Sequence, residues 1–373
     1  MQVDGGPNYY AQFSNPLPTS PDFFPIGVWG AYAQEPENLD TDAAVGINTY
    51  VWAADNTYIP NIRADGRFHV IQYEGDRPPT LGSETAGWLL GDELDMTEGG
   101  AACPDNINAI KNGLPADGRF RYANYGKGVL IWGATGFNGH NDATSACYIN
   151  AQDVTSTDLY WHTDPNESDQ PQYGHSWGYG WSMERMRMLD AMDGVRKPQW
   201  GFVEVTGVMN DADPITPAQI RGAVWHTLIA GGRGIIYFQH DFDGSCITHH
   251  ALREAGTQCY GAIVTMVTSV DAQIKQLAPV LNAPTVATGV SNNPAIRAMV
   301  KWQGGNFYVF AASMDTGATQ GTVNIPCVGN ATATVLGENR SVPMLNGSFS
   351  DAFANGDAVH IYRVDGGSHC GLS

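Results

Sequence analysis

The sequence predicts an α/β fold: a (β/α)8 barrel followed by a small antiparallel β-sandwich. Three observations carry this. Eight short apolar, β-rich runs alternate with helix-like or turn-rich stretches across residues 25–240, the alternation that builds a parallel sheet and, in this number, a closed barrel. A long amphipathic segment follows the eighth run. From Pro284 the pattern changes to period two, punctuated by Gly, Asn and Pro. With 373 residues the chain is too long for one small core, and it suits one large domain plus a smaller one.

In order, the runs are PIGVWG (25–30), INTYVWA (47–53), RFHVIQY (67–73), GWLLGDE (87–93), GVLIWG (128–133), TDLYWHT (157–163), WGFVEV (200–205) and GIIYFQH (234–240). The clearest helix between them is TPAQIRGAVWHTLIAGG. Thr216 is its N-cap, Pro217 takes the first helical position, Ile220, Val224 and Leu228 share a face, and Gly231 or Gly232 ends it. WSMERMRMLDAMDG ends on Gly194, and its Met183, Met186 and Met188 read as core packing rather than a cofactor site. Earlier helices such as PDNINAIKNG are short. After the eighth run a loop carries Cys246 and Cys259, and YGAIVTMVTSVDAQIKQLAPVLNAP then closes the barrel as a long helix. Beyond it AIRAMVKWQGGNFYVFAASM, GTVNIP, ATATVLGE and AVHIYRV read as strands with no helix among them. The expected division is a barrel over residues 1–283 and a sandwich over residues 284–373.

Hydrophobic residues make up 43% of the chain and charged ones 15%, which describes a globular protein. The 10 Trp, 16 Tyr and 13 Phe supply more rings than a core needs, and flat apolar faces with polar edges stack on carbohydrate rings, although large barrels also consume them. A formal net charge of −19 repels polyanions, which argues against nucleic acid and anionic membrane as partners. No apolar run reaches the length of a membrane span, so no membrane insertion is expected. The six cysteines, at 103, 147, 246, 259, 327 and 370, form no CxxC pair and no zinc-like Cys/His spacing. Disulfides in an oxidising compartment are the better reading. Their pairing stays open from sequence, with proximity favouring Cys246 with Cys259, Cys103 with Cys147 and Cys327 with Cys370. The N-terminal MQVDGGPNYY lacks a charged head followed by an apolar stretch, so either a signal peptide has been removed or the protein leaves its cell without one, as a phage structural protein does.

Chemistry in a (β/α)8 barrel sits where the strands end at the C-terminal rim. Run four ends on Glu93 and run seven on Glu204, on roughly opposite sides of the mouth, so their carboxylates can face each other across a cleft. Two carboxyl groups about 5–5.5 Å apart are what a retaining glycosidase uses. The alternative is that both are ion-pair partners on the rim.

On these residues the chain resembles the large clan of retaining glycoside hydrolases built on (β/α)8 barrels, in which the acid/base glutamate ends strand four and the nucleophile ends strand seven. AVWHTLIAGGRGIIYF and, in the tail, VLGENRSV…GSFSDAF…VHIYRV are similar to its β-galactosidase-like members. The resemblance implies Glu204 as nucleophile and Glu93 as acid/base, acting without a cofactor. Asp92 stands where the clan has an asparagine whose amide contacts the sugar 2-hydroxyl, so that substrate contact departs from the pattern.

Further substrate candidates lie at the expected strand ends. Tyr160 and His162 share one face of run six, so one of them can hold the nucleophile by a hydrogen bond. Trp29, Trp52, Trp132 and Trp161 can be sugar platforms or core filling. His240 begins a loop that also holds Asp241, Asp243, His249 and His250, but their spacing matches no tight metal site, and His240 is assigned to substrate. Glu74, Asp55 and Asp164 are rim acids without a task, and NYGKG is a turn rather than a phosphate loop. The sequence therefore points to a glycosidase cutting a β-linked neutral glycan of a cell surface or cell wall, located outside the cell or on a virion. A non-catalytic carbohydrate-binding module of a phage tail, partnered by other tail proteins, is the rival.

Overall fold

The computed structural model describes residues 7–208, 210, 212–286, 293–366 and 370. The first six residues, on which the reading of the leader rests, lie outside that set. Eight strands close a parallel barrel in sequence order: β1 (Ile26–Trp29), β2 (Thr49–Val51), β3 (His69–Tyr73), β4 (Thr85–Asp92), β5 (Phe120–Tyr125), β6 (Val154–Thr157), β7 (Gln199–Glu204) and β8 (Ile235–Phe238), with β8 paired back to β1.

Two of the expected strands fall elsewhere. The run at 128–133 is helical, over Gly128–Trp132 and Gly133–Thr135, and β5 comes earlier, in FRYANY. A short apolar run does not separate a buried strand from a buried helical turn by periodicity. Here a carboxylate decides the matter: Asp95 Oδ1 accepts the N–H of Gly126 at 3.0 Å and Oδ2 that of Val129 at 2.8 Å, so the turn begins on a capped N-terminus. Strand six is VTST, and the run named for it starts only at the last residue, Thr157. Its hydroxyls conceal it from an apolar search but are satisfied in the fold, Ser156 Oγ by Asn124 Oδ1 on β5 at 2.7 Å and Thr155 Oγ1 by the carbonyl of Ile149 at 3.2 Å.

Alternation along the strands sorts the core into two layers. Trp29, Val51, Ile71, Leu89, Phe120, Tyr122, Trp200, Phe202 and Ile236 form one buried cluster that fills the barrel, joined by Tyr10 and Leu17. That N-terminal segment is pinned at the strand starts, Asn15 Nδ2 to the carbonyl of Thr85 at 2.6 Å and Tyr9 to that of Asp153 at 2.6 Å. The barrel is thereby closed at its base. Val28, Tyr50, Val70, Trp88, Val203 and Tyr237 face outward and pack against the helices.

The helix Pro217–Ile229 starts as expected, with Thr216 and Gln219 forming a reciprocal capping box. The helix Gly261–Leu281 closes the barrel. Beyond it, β9 (Ile296–Gln303), β10 (Asn306–Ser313), β12 (Ala331–Val335), β13 (Arg340–Met344) and β15 (Val359–Asp365) form an antiparallel sheet in the order β13-β12-β15-β10-β9. The strands β11 (Thr319–Asn324) and β14 (Ser348–Phe353) pair separately. Phe307, Val309, Val323, Phe349 and Tyr362 share the core of this second unit. We propose that the chain divides near residue 284, between the last barrel helix and β9.

Three disulfides close, Cys103–Cys147, Cys246–Cys259 and Cys327–Cys370, the pairing that proximity favours. Among the described residues no helix is long and apolar enough to cross a membrane.

Candidate active site

Glu204 is the inward residue ending β7, in line with Trp200 and Phe202. Its side chain is fully buried, 0% exposed, and donors hold both oxygens. Oε1 accepts the main-chain N–H of His162 at 3.1 Å and the hydroxyl of Thr163 at 3.4 Å, and Oε2 accepts the hydroxyl of Tyr179. Burial pushes its carboxyl up to about 7 although these hydrogen bonds pull the other way.

Glu93 follows β4 directly, where pairing with β5 slips between Leu89 and Asp92. Its backbone takes the left-handed conformation, φ 47°, uncommon for a residue with a side chain, and this turns it off the strand line. The carboxylate lies over Gly126: a Cβ added there would sit 2.9 Å from Glu93 Oε1. Partial burial, then the negative charges of Asp92 and Asp95, push its carboxyl up to about 7, with Lys127 opposing. Asp92 is held by Asn124, whose Nδ2 donates to its Oδ1 at 2.9 Å.

The other named residues separate into two groups. At the mouth, Trp29 ends β1 and meets Trp52 edge-on with centroids 6.4 Å apart, and Trp52 Nε1 donates to Asp76 Oδ2 at 2.8 Å. His240 follows β8, with Nε2 3.0 Å from the carbonyl of Trp29 and Nδ1 3.1 Å from His249 Nδ1. Tyr160 packs its ring 5.1 Å from Phe238. Away from the mouth, Trp161 is 0% exposed in the outer core and donates to Ser182 Oγ at 2.9 Å, so it offers a sugar no face. Trp132 lies in the helical segment after β5 and packs on Phe137 and His140, not at a strand end.

His162 does hold Glu204, but through its backbone. The segment Asp158–Thr163 lies beyond β6, so strand alternation does not apply to it, and the imidazole turns instead to Ser176 Oγ at 3.2 Å and stacks on Tyr179. Burial pushes that ring down to about 3, so it is neutral. Among the rim acids, Asp55 and Asp164 cap short turns at Thr57 and Asn166. Among the described residues no three of His, Cys, Asp and Glu gather as metal ligands.

Several residues of the site escaped the sequence reading. Asn124 was hidden by the displaced fifth strand. Tyr179 comes from a helix and meets Glu204 only in the fold. Asp158 lies within the run at 157–163, where no local pattern marks it. Tyr73 at the end of β3 (43%) and Phe242 in the loop after β8 (54%) carry exposed rings.

No protein-family model matches the chain, and no curated protein sequence matches it. Solved structures do resemble it. The maltogenic α-amylase AmyB of Thermotoga neapolitana superposes with a TM-score of 0.54 at 9% identity, covering 92% of this chain and 99% of that one. A structure described as a glycoside hydrolase gives 0.53 at 12%, covering 95% and 94%. AbfB, a family 51 α-L-arabinofuranosidase from Bifidobacterium longum, gives 0.50 at 13%, covering 92% and 95%. At such identities the likeness is one of fold.

Proposed function

We propose that the protein is a retaining glycoside hydrolase acting on a β-linked neutral glycan of a cell surface or cell wall. One observation carries the reading: two glutamates end strands four and seven in opposite kinds of surroundings. Glu204 is fixed by three donors, which suits a carboxylate that must point at an anomeric carbon. Glu93 is crowded by acids, which suits a carboxyl that must hold a proton. In the first step Glu204 bonds to the anomeric carbon as the glycosidic C–O bond breaks, and Glu93 gives its proton to the leaving oxygen. In the second, Glu93 takes a proton from water, whose oxygen displaces Glu204 and restores both groups. Asp92, Trp29, Trp52, Tyr160 and His240 are the proposed substrate contacts around them. Because Glu204 has no exposed surface, a sugar reaches it only as the side chains above it move aside. Three closed disulfides suit an oxidising setting outside the cell.

The same burial of Glu204 favours a second reading, a barrel that binds glycan without turnover. A panel of aryl glycosides and cell-wall polysaccharides, tested with wild type, Glu93→Gln and Glu204→Gln, separates the two. Hydrolysis by wild type that both variants abolish supports the enzyme. Glycan binding with no hydrolysis of any substrate establishes the binding module.

A further inference from the structure

The two glutamates divide the mouth of the barrel into unequal arcs. Between β4 and β7 on one side stand β5 and β6, which bring polar groups such as Asn124 and Ser156. On the other side stand β8, β1, β2 and β3, and each of these ends in a ring. Trp29 ends β1 inside the inner cluster, Phe238 ends β8 two positions after the inward Ile236, and Tyr73 ends β3 two positions after the inward Ile71. Trp52 follows β2 at φ 62°, a left-handed conformation uncommon for so bulky a side chain, and its ring packs on the same cluster.

Contacts join these rings from end to end. Phe242 lies parallel to His240, with centroids 5.9 Å apart and planes 7° apart, and 6.2 Å from Phe238. His240 meets the carbonyl of Trp29, and Trp29 meets Trp52. Asp76, which accepts the Trp52 N–H, closes the turn Glu74–Asp76 that starts directly after Tyr73, and the Tyr73 ring rests on Gly75 of that turn, 3.4 Å from where a Cβ would stand. Phe242 sits on a fixed support as well. Asp241 and Thr248 pair backbone to backbone at the base of its loop, and the disulfide Cys246–Cys259 staples it. In a ring of eight strands the line from β8 to β3 runs parallel to the line from β7 to β4, so the strip lies alongside the two glutamates. Its two ends are its most exposed rings, which leaves it open to solvent at both. A polymer can therefore continue past either end, whereas a strip walled off at one end would admit only a chain terminus. Asp76 beside Trp52, with Asp92 and Glu93 at β4, makes the surroundings acidic, which turns away an anionic polymer.

We propose that Tyr73 and Phe242 are the outer sugar platforms of a groove that holds an internal stretch of a neutral polysaccharide, so that cutting falls within chains rather than at their ends. The cutting rests on the glycosidase reading, whereas the binding does not.

Native electrophoresis of the full chain through gels containing a neutral β-glucan, a β-galactan or an arabinogalactan, with polygalacturonate as the anionic control, tests the binding without any turnover. The expected result is that at least one neutral polymer slows wild type and polygalacturonate does not, and that Tyr73→Ala and Phe242→Ala each raise the dissociation constant for that polymer about 3- to 10-fold. Tyr73→Phe and Phe242→Tyr keep a ring and should bind as wild type does, a rescue that a general loss of folding would not give. Where the polymer is cut, its viscosity should fall well ahead of the release of reducing ends, and the alanine variants should lose more on the polymer than on a single-sugar aryl glycoside. The proposal is overturned if no neutral polymer slows the protein, if the alanine variants migrate as wild type, or if single sugars are released from the start at unchanged viscosity. Polymer binding that depends on both rings without any hydrolysis sinks the enzyme reading alone. Hydrolysis that is indifferent to both rings sinks this proposal alone.

Discussion

The hydroxyl of Tyr179 donates to Oε2 of Glu204, so a residue from the helix Trp177–Asp190, behind the barrel wall, reaches the end of strand seven and fixes its carboxylate. Replacing it by phenylalanine keeps the ring against His162 and removes only the donor. An unsatisfied buried acceptor costs about 1–3 kcal/mol, so kcat/KM should fall about 5- to 150-fold in Tyr179→Phe with little change in fold. Losing a donor to the ionised form also raises the Glu204 midpoint. The acid limb of the pH profile should therefore move to higher pH, and a profile of unchanged shape would count against this role.

Activity should show a narrow bell in pH. Glu204 must be ionised, so the rate rises as pH climbs through its midpoint of about 7. Glu93 must be protonated, so the rate falls as pH climbs through about 7. The two limbs overlap, and kcat/KM measured from pH 4 to 10 should peak close to neutrality with no broad plateau. A plateau several units wide would show that the two carboxyls do not carry these roles.

Gly126→Ala is a steric test of Glu93. The added methyl meets Oε1 at 2.9 Å and the Met96 side chain at 3.0 Å, so the carboxylate must shift. A displacement near 1 Å at a reacting group costs on the order of 100-fold in rate. Turnover should drop by about that factor while thermal unfolding stays within a few degrees of wild type. An equal loss in both would mean the glycine serves folding only.

Asp271 supplies a stability test far from the mouth. It lies fully buried in the closing helix, accepts the Tyr237 hydroxyl at 2.7 Å, and burial pushes its carboxyl up to about 8. A folded-state value above the unfolded one, about 3.9, means this stabilisation is complete below pH 4 and is lost as pH rises through 8. Within that window the slope is at most about 1.4 kcal/mol per pH unit. Asp271→Asn cannot ionise, so thermal unfolding at pH 8.5 should occur at higher temperature in the variant than in wild type. The ordering at pH 4 should vanish or reverse.

Legibility in the sequence followed physical lines. Strands with an apolar inward face, such as that of Trp200 and Phe202, announced themselves, as did the helix begun by Thr216 and Pro217. Strand six is threonine and serine, and its identity comes from hydroxyls bonded across strands, which no local pattern records. The sequence pattern puts strand five on the apolar turn after it, because the carboxylate that makes that turn helical, Asp95, lies some thirty residues earlier. Glu93 and Glu204 were visible as strand ends. Tyr179 and Asn124 are not, because each acquires its partner only on closure of the barrel.

Ser176 joins parts of the chain that lie far apart in sequence. Its hydroxyl meets Asp357 Oδ1 at 2.6 Å, in the loop between β14 and β15, and also lies 3.2 Å from His162 Nε2, the residue whose N–H holds Glu204. Tension on the tail sheet is thus one hydroxyl and one imidazole away from the innermost carboxylate. A fragment cut at residue 284 would retain every barrel strand and both glutamates, yet its seventh strand would end in a carboxylate with a slackened tether. The tail then works as a guy-line for the mouth, and because Phe310, Val359 and Ile361 share a core with the barrel helices, its removal should blunt the aim of Glu204 and lower the melting point of the barrel together.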